Sequence, residues 1–476
     1  MTTAPARGDD GTSVSAPADP NALITAYGSH VLAVEPTGAE PVPESARHGS
    51  ALGLLWTWLS PNMEFATVYI GVISVLFFGL GFWTATAALL LGTAVGSATH
   101  GWLSVYGPRF GVPQMVAGRL AFGRWGNALP AALNAAGAGL GWFAVNSVSG
   151  AFALATLSGM PTLLCLVLVV IAQIAVAYLG HNFVHGFERY ALPPLTVVFL
   201  AASAVTLGKA HLGGAASTTG TTGGFLLAFS TAFGYAAGWN PFAADYTRYL
   251  PAATARWKVA LYPAVGVFVG VSLLAVVGAA SATIATGERN PTAAFTGHLP
   301  GWLGNLTLLA IMLGAVSANA INIYSAGMSF VSLGLRKLPR GPVALVIGAL
   351  GFLVAWSGLS DAGHSYEAFL LVIAYWVAPW LAVVFTDEWL RRRAGSTDAT
   401  AAEQMADAGY EVWAGPIAMV AGTVLSVLLF SSQEQFTGYL VRAAPSIGDL
   451  TCLVGFALTA VLYAGLRRVP ALAPSR

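Results

Sequence analysis

Trp142 and Asn146 stand four residues apart in the apolar stretch Gly141-Trp142-Phe143-Ala144-Val145-Asn146. On a helix that spacing puts an indole and a carboxamide on one face. Together they offer a flat, hydrogen-bonding heterocycle a surface to stack on and a reader for its edge. Asn319 and Asn322 lie at helical spacing in another apolar run, Ser317-Ala318-Asn319-Ala320-Ile321-Asn322. A lone buried amide would serve contact between helices. Three asparagines with Trp142 and Trp239 around one cavity point instead to a binding site.

Two further stretches carry chemistry that breaks helices. Trp58-Leu59-Ser60-Pro61-Asn62-Met63-Glu64 and Gly234-Tyr235-Ala236-Ala237-Gly238-Trp239-Asn240-Pro241 each set a proline inside an apolar run. Proline removes a backbone donor and clashes with the carbonyl four residues earlier. Polar groups freed in this way are tolerated inside a bilayer only where protein or a watery cavity satisfies them. Glu64 follows the first break, and a carboxylate at that depth is a functional candidate by default. Asp245, at the far end of the second interrupted run, is expected to pair with a loop arginine in a structural or gating role.

The elements that must position these residues are long apolar helices. Only 9% of the 476 residues are charged, 56% are apolar, and mean hydropathy is +0.70. A soluble protein carries about 25% charge. Apolar stretches of about 20 residues recur, enough to cross a bilayer core roughly 30 Å thick. Twelve spans are expected, near 54–76, 79–104, 128–157, 160–180, 190–208, 225–249, 258–284, 302–331, 341–359, 366–390, 414–431 and 449–466. Their length and lack of alternation exclude strands and a barrel. The net charge of +1 excludes a nucleic-acid partner.

Residues 1–48 hold six prolines and six carboxylates without a long apolar run, and are expected to form a disordered tail rather than a signal peptide. Residues 49–390 then form the core, 391–413 a loop, 414–468 two peripheral helices, and 469–476 a second tail. With the amino terminus inside, eighteen basic residues fall on the cytoplasmic side and only Lys209, Arg289 and Arg442 opposite. That asymmetry puts both termini in the cytoplasm of a cell-membrane protein. The two breaks lie five spans apart, in corresponding positions if spans 1–5 and 6–10 are inverted repeats. Paired interruptions of this kind mark the central site of a transporter.

Other motifs carry less. Gly137-x-Gly139-x-Gly141 lacks the preceding strand of a dinucleotide loop and suits close helix contact. His181 and His185, four apart with Glu188 nearby, make a membrane-embedded metalloenzyme the alternative of another class, although a zincin needs Glu where Asn182 stands. A passive channel fits less well, because broken helices with stacking aromatics suit tight, alternating-access binding. Arg391-Arg392-Arg393 reads as a topology signal. No Walker sequence appears. Cys165 and Cys452 lie in apolar runs as small hydrophobes.

The stretch Gly238-Trp239-Asn240-Pro241-Phe242-Ala243-Ala244-Asp245-Tyr246-Thr247-Arg248-Tyr249-Leu250-Pro251 resembles the sixth-helix signature of the nucleobase–cation symporter family, purine–cytosine permease branch. The Gly-Trp…Asn pattern at 141–146, Asn-Ile-Tyr-Ser at 322–325 and the loop Gly107–Gln114 support the likeness, which covers roughly residues 43–470. The resemblance implies a LeuT-type five-plus-five inverted repeat with two further helices. It implies a planar base held between helices one, three, six and eight. Trp142 would stack on that base, Asn146 would read its edge, Trp239 or Tyr235 would give the second aromatic contact, and Asn319 and Asn322 would bond from helix eight. Ser60, Asn62, Glu64, Asp245 and Ser317 are assigned to coupling or gating. Sodium-coupled relatives present two adjacent hydroxyls on helix eight, where this chain has Ser317-Ala318.

The expected function is therefore secondary import of cytosine or a purine, coupled to protons rather than sodium and needing no cofactor. A sodium-coupled carrier of allantoin, a hydantoin or a hydroxymethylpyrimidine-like compound is the alternative within the family.

Overall fold

The structure is a computed structural model that describes residues 40–474 except 179–180, 214–221, 285–289 and 333–339. Side chains at 177–189, 191–192, 320, 324, 331 and 340–344 also fall outside the description. Among the described residues every regular element is helical, with two isolated β-bridges beside them.

The chain opens with two half-helices, α1 (Ala51–Leu59) and α2 (Phe65–Leu76), separated by a 3-10 turn over Ser60–Asn62 and bent by 59°. The second interruption has the same form. Helix α8 (Thr222–Ala237) gives way to a 3-10 turn at Asn240–Phe242 before α9 (Ala243–Thr247). Each turn carries its proline in second position, where the missing N–H removes the bond that would have continued the helix.

Between the breaks run α3 (Phe82–Ser104), α4 (Ala128–Ala136), α5 (Phe143–Ser158), α6 (Thr162–Tyr178) and α7 (His181–Lys209). After them come α10 (Arg256–Ser281), α11 (Gly301–Ser332), α12 (Arg340–Gly358), α13 (Ala362–Arg393), α14 (Asp398–Ala406), α15 (Ala414–Phe430) and α16 (Thr451–Leu466). Among the described residues, five of the long helical stretches are apolar enough to cross a membrane by themselves, and the bent pair α1–α2 passes the same test jointly.

Small residues let the half-helices dock closely. A Cβ at Gly71 of α2 would lie 1.9 Å from the Ala275 carbonyl oxygen, and one at Gly278 of α10 would lie 1.8 Å from that of Val68. Without those methyl groups the two backbones touch, which is how helices gain packing energy in lipid. Helices α1, α2, α3, α8 and α10 form one packed group, while α5, α6, α11 and α12 form another against it. The first break lies against α11 of the second group.

Several boundaries differ from those expected. Residues 40–48 are packed rather than disordered: Val42 is buried, and the Arg47 guanidinium donates to the carbonyls of Val42 and Pro108 at 3.0 and 2.8 Å. A run of prolines and charges hid a cation that satisfies chain-end carbonyls; residues 1–39 lie outside the described ones. Helix α7 begins at His181, so the expected link between the fourth and fifth spans is already helical. The side chains of His181, His185 and Glu188 lie outside the described residues. The expected loop at 391–413 contains the end of α13 and all of α14. Cys165 and Cys452 are buried free thiols.

Candidate substrate site

Trp142 closes a π-helical turn, Gly137–Trp142, that leads into α5. Such one-turn bulges change which face of a helix looks inward and recur at functional sites. The Trp142 ring lies parallel to that of Trp239, with 7° between the planes and 6.4 Å between centroids. Tyr235 and Phe369 both meet Trp142 edge-on, at 5.1 Å and 5.0 Å. Trp142 and Trp239 are buried, and Gly238 lies against the Trp142 indole: a Cβ there would approach Cζ2 to 2.9 Å.

The break in the first helix holds the second wall in place. Trp239 Nε1 donates to Asn62 Oδ1 at 3.0 Å, and Asn62 Nδ2 donates to the Trp58 carbonyl at 2.6 Å. The Tyr235 hydroxyl donates to Glu64 Oε1 at 2.9 Å and lies 2.6 Å from Thr67 Oγ1. Thr67 in turn bonds the Asn62 carbonyl at 2.8 Å. Glu64 is buried and occupies the N-cap position of α2, where the helix dipole favours negative charge. Buried Ser60 lies in the same turn. Ser317 of α11 is buried as well. One turn earlier Gly314 presses on the break, its Cβ position 2.8 Å from the Met63 carbonyl oxygen.

An amide network forms the remaining side. Asn319 is its centre: Nδ2 donates to the Phe143 carbonyl at 2.9 Å and to Ser147 Oγ at 3.3 Å. Its Oδ1 accepts from Asn146 Nδ2 at 3.0 Å and Asn322 Nδ2 at 3.1 Å. Ser147 continues to Gln173 Oε1 at 2.8 Å, and Gln173 Nε2 donates to the Ala315 carbonyl at 3.2 Å. All four Asn319 interactions are internal, so it joins α5 to α11. Asn146 and Asn322 each retain a buried Oδ1 without a hydrogen-bond partner. A buried acceptor left unmade costs about 1–3 kcal/mol. Both amides meet at Asn319, so the two open acceptors belong to one network.

Asp245 lies apart from this group. It is buried in α9, and its Oδ1 accepts from the Gln114 backbone N–H at 2.9 Å, tying the second break to the short helix Gln114–Ala117. Sequence reasoning missed Thr67, Gln173 and Phe369, whose partners lie far away in the chain. It also missed His100, a buried imidazole edge-on to Trp58 at 4.2 Å. His100 sits in an apolar span, and its own residue type was the one available signal.

Residues 41–455 match the family of permeases for cytosine/purines, uracil, thiamine and allantoin. The chain belongs to that permease family. A purine-cytosine permease of Emericella nidulans is 29% identical over 92% of this chain and 89% of its own length. A protein named putative purine-cytosine permease in Bacillus subtilis is 26% identical over 91% and 95%. Among solved structures, the nucleobase-cation-symport-1 transporter Mhp1, closed with bromovinylhydantoin bound, superposes with a TM-score of 0.70 at 19% identity, covering 90% of this chain and 94% of its own. A Na+-coupled sialic acid symporter gives 0.62 at 13% identity over 95% and 96%. These neighbours establish the LeuT-type fold. The permease family membership makes the chain a nucleobase-type transporter and not an enzyme.

Proposed function

We propose that this permease imports a nucleobase, cytosine or a purine, across the cell membrane by symport with protons. The observation that carries the substrate reading is the Trp142–Trp239 pair. The two indole rings are parallel to within 7°, with centroids 6.4 Å apart, and present flat faces on which a planar base would stack. Trp239 rather than Tyr235 supplies the second wall, since Tyr235 meets Trp142 at 84°. Asn146 and Asn322 offer acceptors to the ring's edge; Asn319 holds them in register.

Support for protons comes from Glu64, a buried carboxylate joined by Tyr235 to the floor of the slot, and from Ala318 standing where a second hydroxyl would help hold sodium. Both termini are assigned to the cytoplasm from the basic asymmetry of the loops. A cysteine placed at exposed position 403, in a background free of Cys165 and Cys452, should resist impermeant reagents added to intact cells.

The deciding experiment is uptake into proteoliposomes with a panel of unlabelled competitors, run under separate sodium and pH gradients. Stacking on one aromatic is worth roughly 1–3 kcal/mol per base, so Trp142→Ala should weaken binding by about tenfold or more. Unchanged affinity in that variant would refute the slot. Accumulation driven by sodium alone, indifferent to a protonophore, would refute proton coupling.

A further inference from the structure

A cavity opens away from the tryptophan pair. It lies beyond Phe369, with a volume of about 190 Å³. Its walls come from α2 (Phe65, Tyr69), α5 (Ser149, Phe152) and α13 (Tyr366, Phe369), with the C-terminal end of α12 completing it. Phe369 is shared: one side lines the cavity, while its ring meets Trp142 edge-on. Gly141 permits this contact, since a Cβ there would fall 2.1 Å from the Phe369 ring.

We propose that this cavity is a second binding site, in series with the Trp142–Trp239 slot, for a planar aromatic ring that is neutral or cationic. Five aromatic side chains face one space, and two pairs among the flanking rings are already stacked, Phe65 on Tyr69 at 24° and Tyr69 on Tyr366 at 23°. An apolar cavity of about 150 Å³ is enough to hold benzene in another protein. Polar contacts are sparse. Ser149 Oγ bonds its own helix at the Val145 carbonyl, and Tyr366 OH donates to the Ala66 carbonyl. The ligand is thus held by its faces and not by an edge reader, which separates it chemically from the base in the slot.

Charge selection follows from the rim. Asp361 and Glu367 directly adjoin the lining residues Ala362 and Tyr366 in the chain. Glu434 and Asp361 flank His364, at 3.6 and 2.9 Å. Carboxylates beside an aromatic box attract cations and repel anions.

The site is tested with one ring carrying three charges: indole, tryptamine and indole-3-acetate. Tritiated indole should bind the purified full chain and remain bound when cytosine or adenine saturates the slot. Tryptamine should displace it at least as well as unlabelled indole does, and indole-3-acetate at least about tenfold less well. Ser149→Phe and, from the opposite wall, Ala355→Phe should abolish indole binding while base binding persists. Displacement of indole by the base, equal binding of the anion, or indole binding unchanged in both filled variants would each overturn the proposal. The site stands apart from the functional reading: a chain that binds no base fails that reading alone, while the charge series still judges the cavity.

Discussion

Gly238→Ala tests the slot with one methyl group. The added Cβ would sit 2.9 Å from Trp142 Cζ2, 3.1 Å from Trp142 Nε1 and 3.1 Å from the Gly234 carbonyl oxygen. Carbon atoms in contact prefer about 3.5–4.0 Å, so the indole must retreat by at least about 0.6 Å. It has little room, because Tyr235 and Phe369 abut it edge-on. Overpacking of this kind costs about 1–3 kcal/mol. If the parallel walls are needed for the base, most of that falls on the bound state, weakening affinity roughly five- to 150-fold. The assay is equilibrium binding of labelled base to purified protein, with thermal unfolding beside it to separate lost fold from lost site. Trp142→Phe removes the colliding atoms, so the double variant should bind better than the two single effects predict when summed. Wild-type affinity in Gly238→Ala would refute the claim that these two rings form the base's walls.

Asn146→Ala removes an unpartnered acceptor, so competition assays should show a reordering of the preferred bases rather than uniform weakening; an unchanged order would assign the edge reading elsewhere. Tyr235→Phe deletes the donor to Glu64, a bond to a charged group worth about 1.5–3 kcal/mol. Base binding should survive while the pH profile of uptake moves, and Glu64→Gln should flatten that profile. Asp398 opens α14, past the end of the apolar helix α13, where its hydrogen bond to Arg109, opposed by partial burial, holds its carboxyl below the usual carboxylate range. A depressed folded value means the stabilisation is complete at neutral pH and disappears only as pH falls through that value. Asp398→Asn should therefore lower stability at pH 7, read by thermal unfolding, by less than about 1 kcal/mol for so exposed a pair. The difference from wild type should vanish in strong acid. Glu388→Ala should cost more, about 3–5 kcal/mol by the same thermal measurement, because Trp102, Tyr106, Arg109 and Arg392 all donate to that carboxylate.

The parts of this architecture written locally in the chain were readable from it. Pro61 and Pro241 announce their breaks because the missing donor acts on the same helix. Trp142 and Asn146 share a face because four residues make about one turn. What needed three dimensions was orientation. Trp239 and Tyr235 both belong to the second interrupted helix, and only the angle of each ring to Trp142 assigns one to the wall and the other to Glu64. Asn319 resembled a ligand-facing amide until Phe143 and Ser147, more than 170 residues away, claimed its donors. The start of α7 was misplaced because His181, Asn182, Glu188 and Arg189 lower hydropathy across turns that are nonetheless helical. Phe369 gave no signal, being one phenylalanine among 24.

The segment at 42–48 has a mechanical consequence. Val42 exchanges bonds with Gly111 and Arg47, and Arg47 grips the Pro108 carbonyl in the short helix Tyr106–Phe110 that follows α3. The His48 N–H bonds the Tyr249 carbonyl, and Glu44 Oε1 accepts from the Ala252 N–H, both just past α9. One short strap thus laces together the same ends of three helices that would otherwise hinge independently. The leading half-helix has no free swing of its own: tilting it pulls on the turn at 106–111 and on α9 together. Any rocking motion that exposes the slot must either carry these three ends as one lever or first undo the lacing.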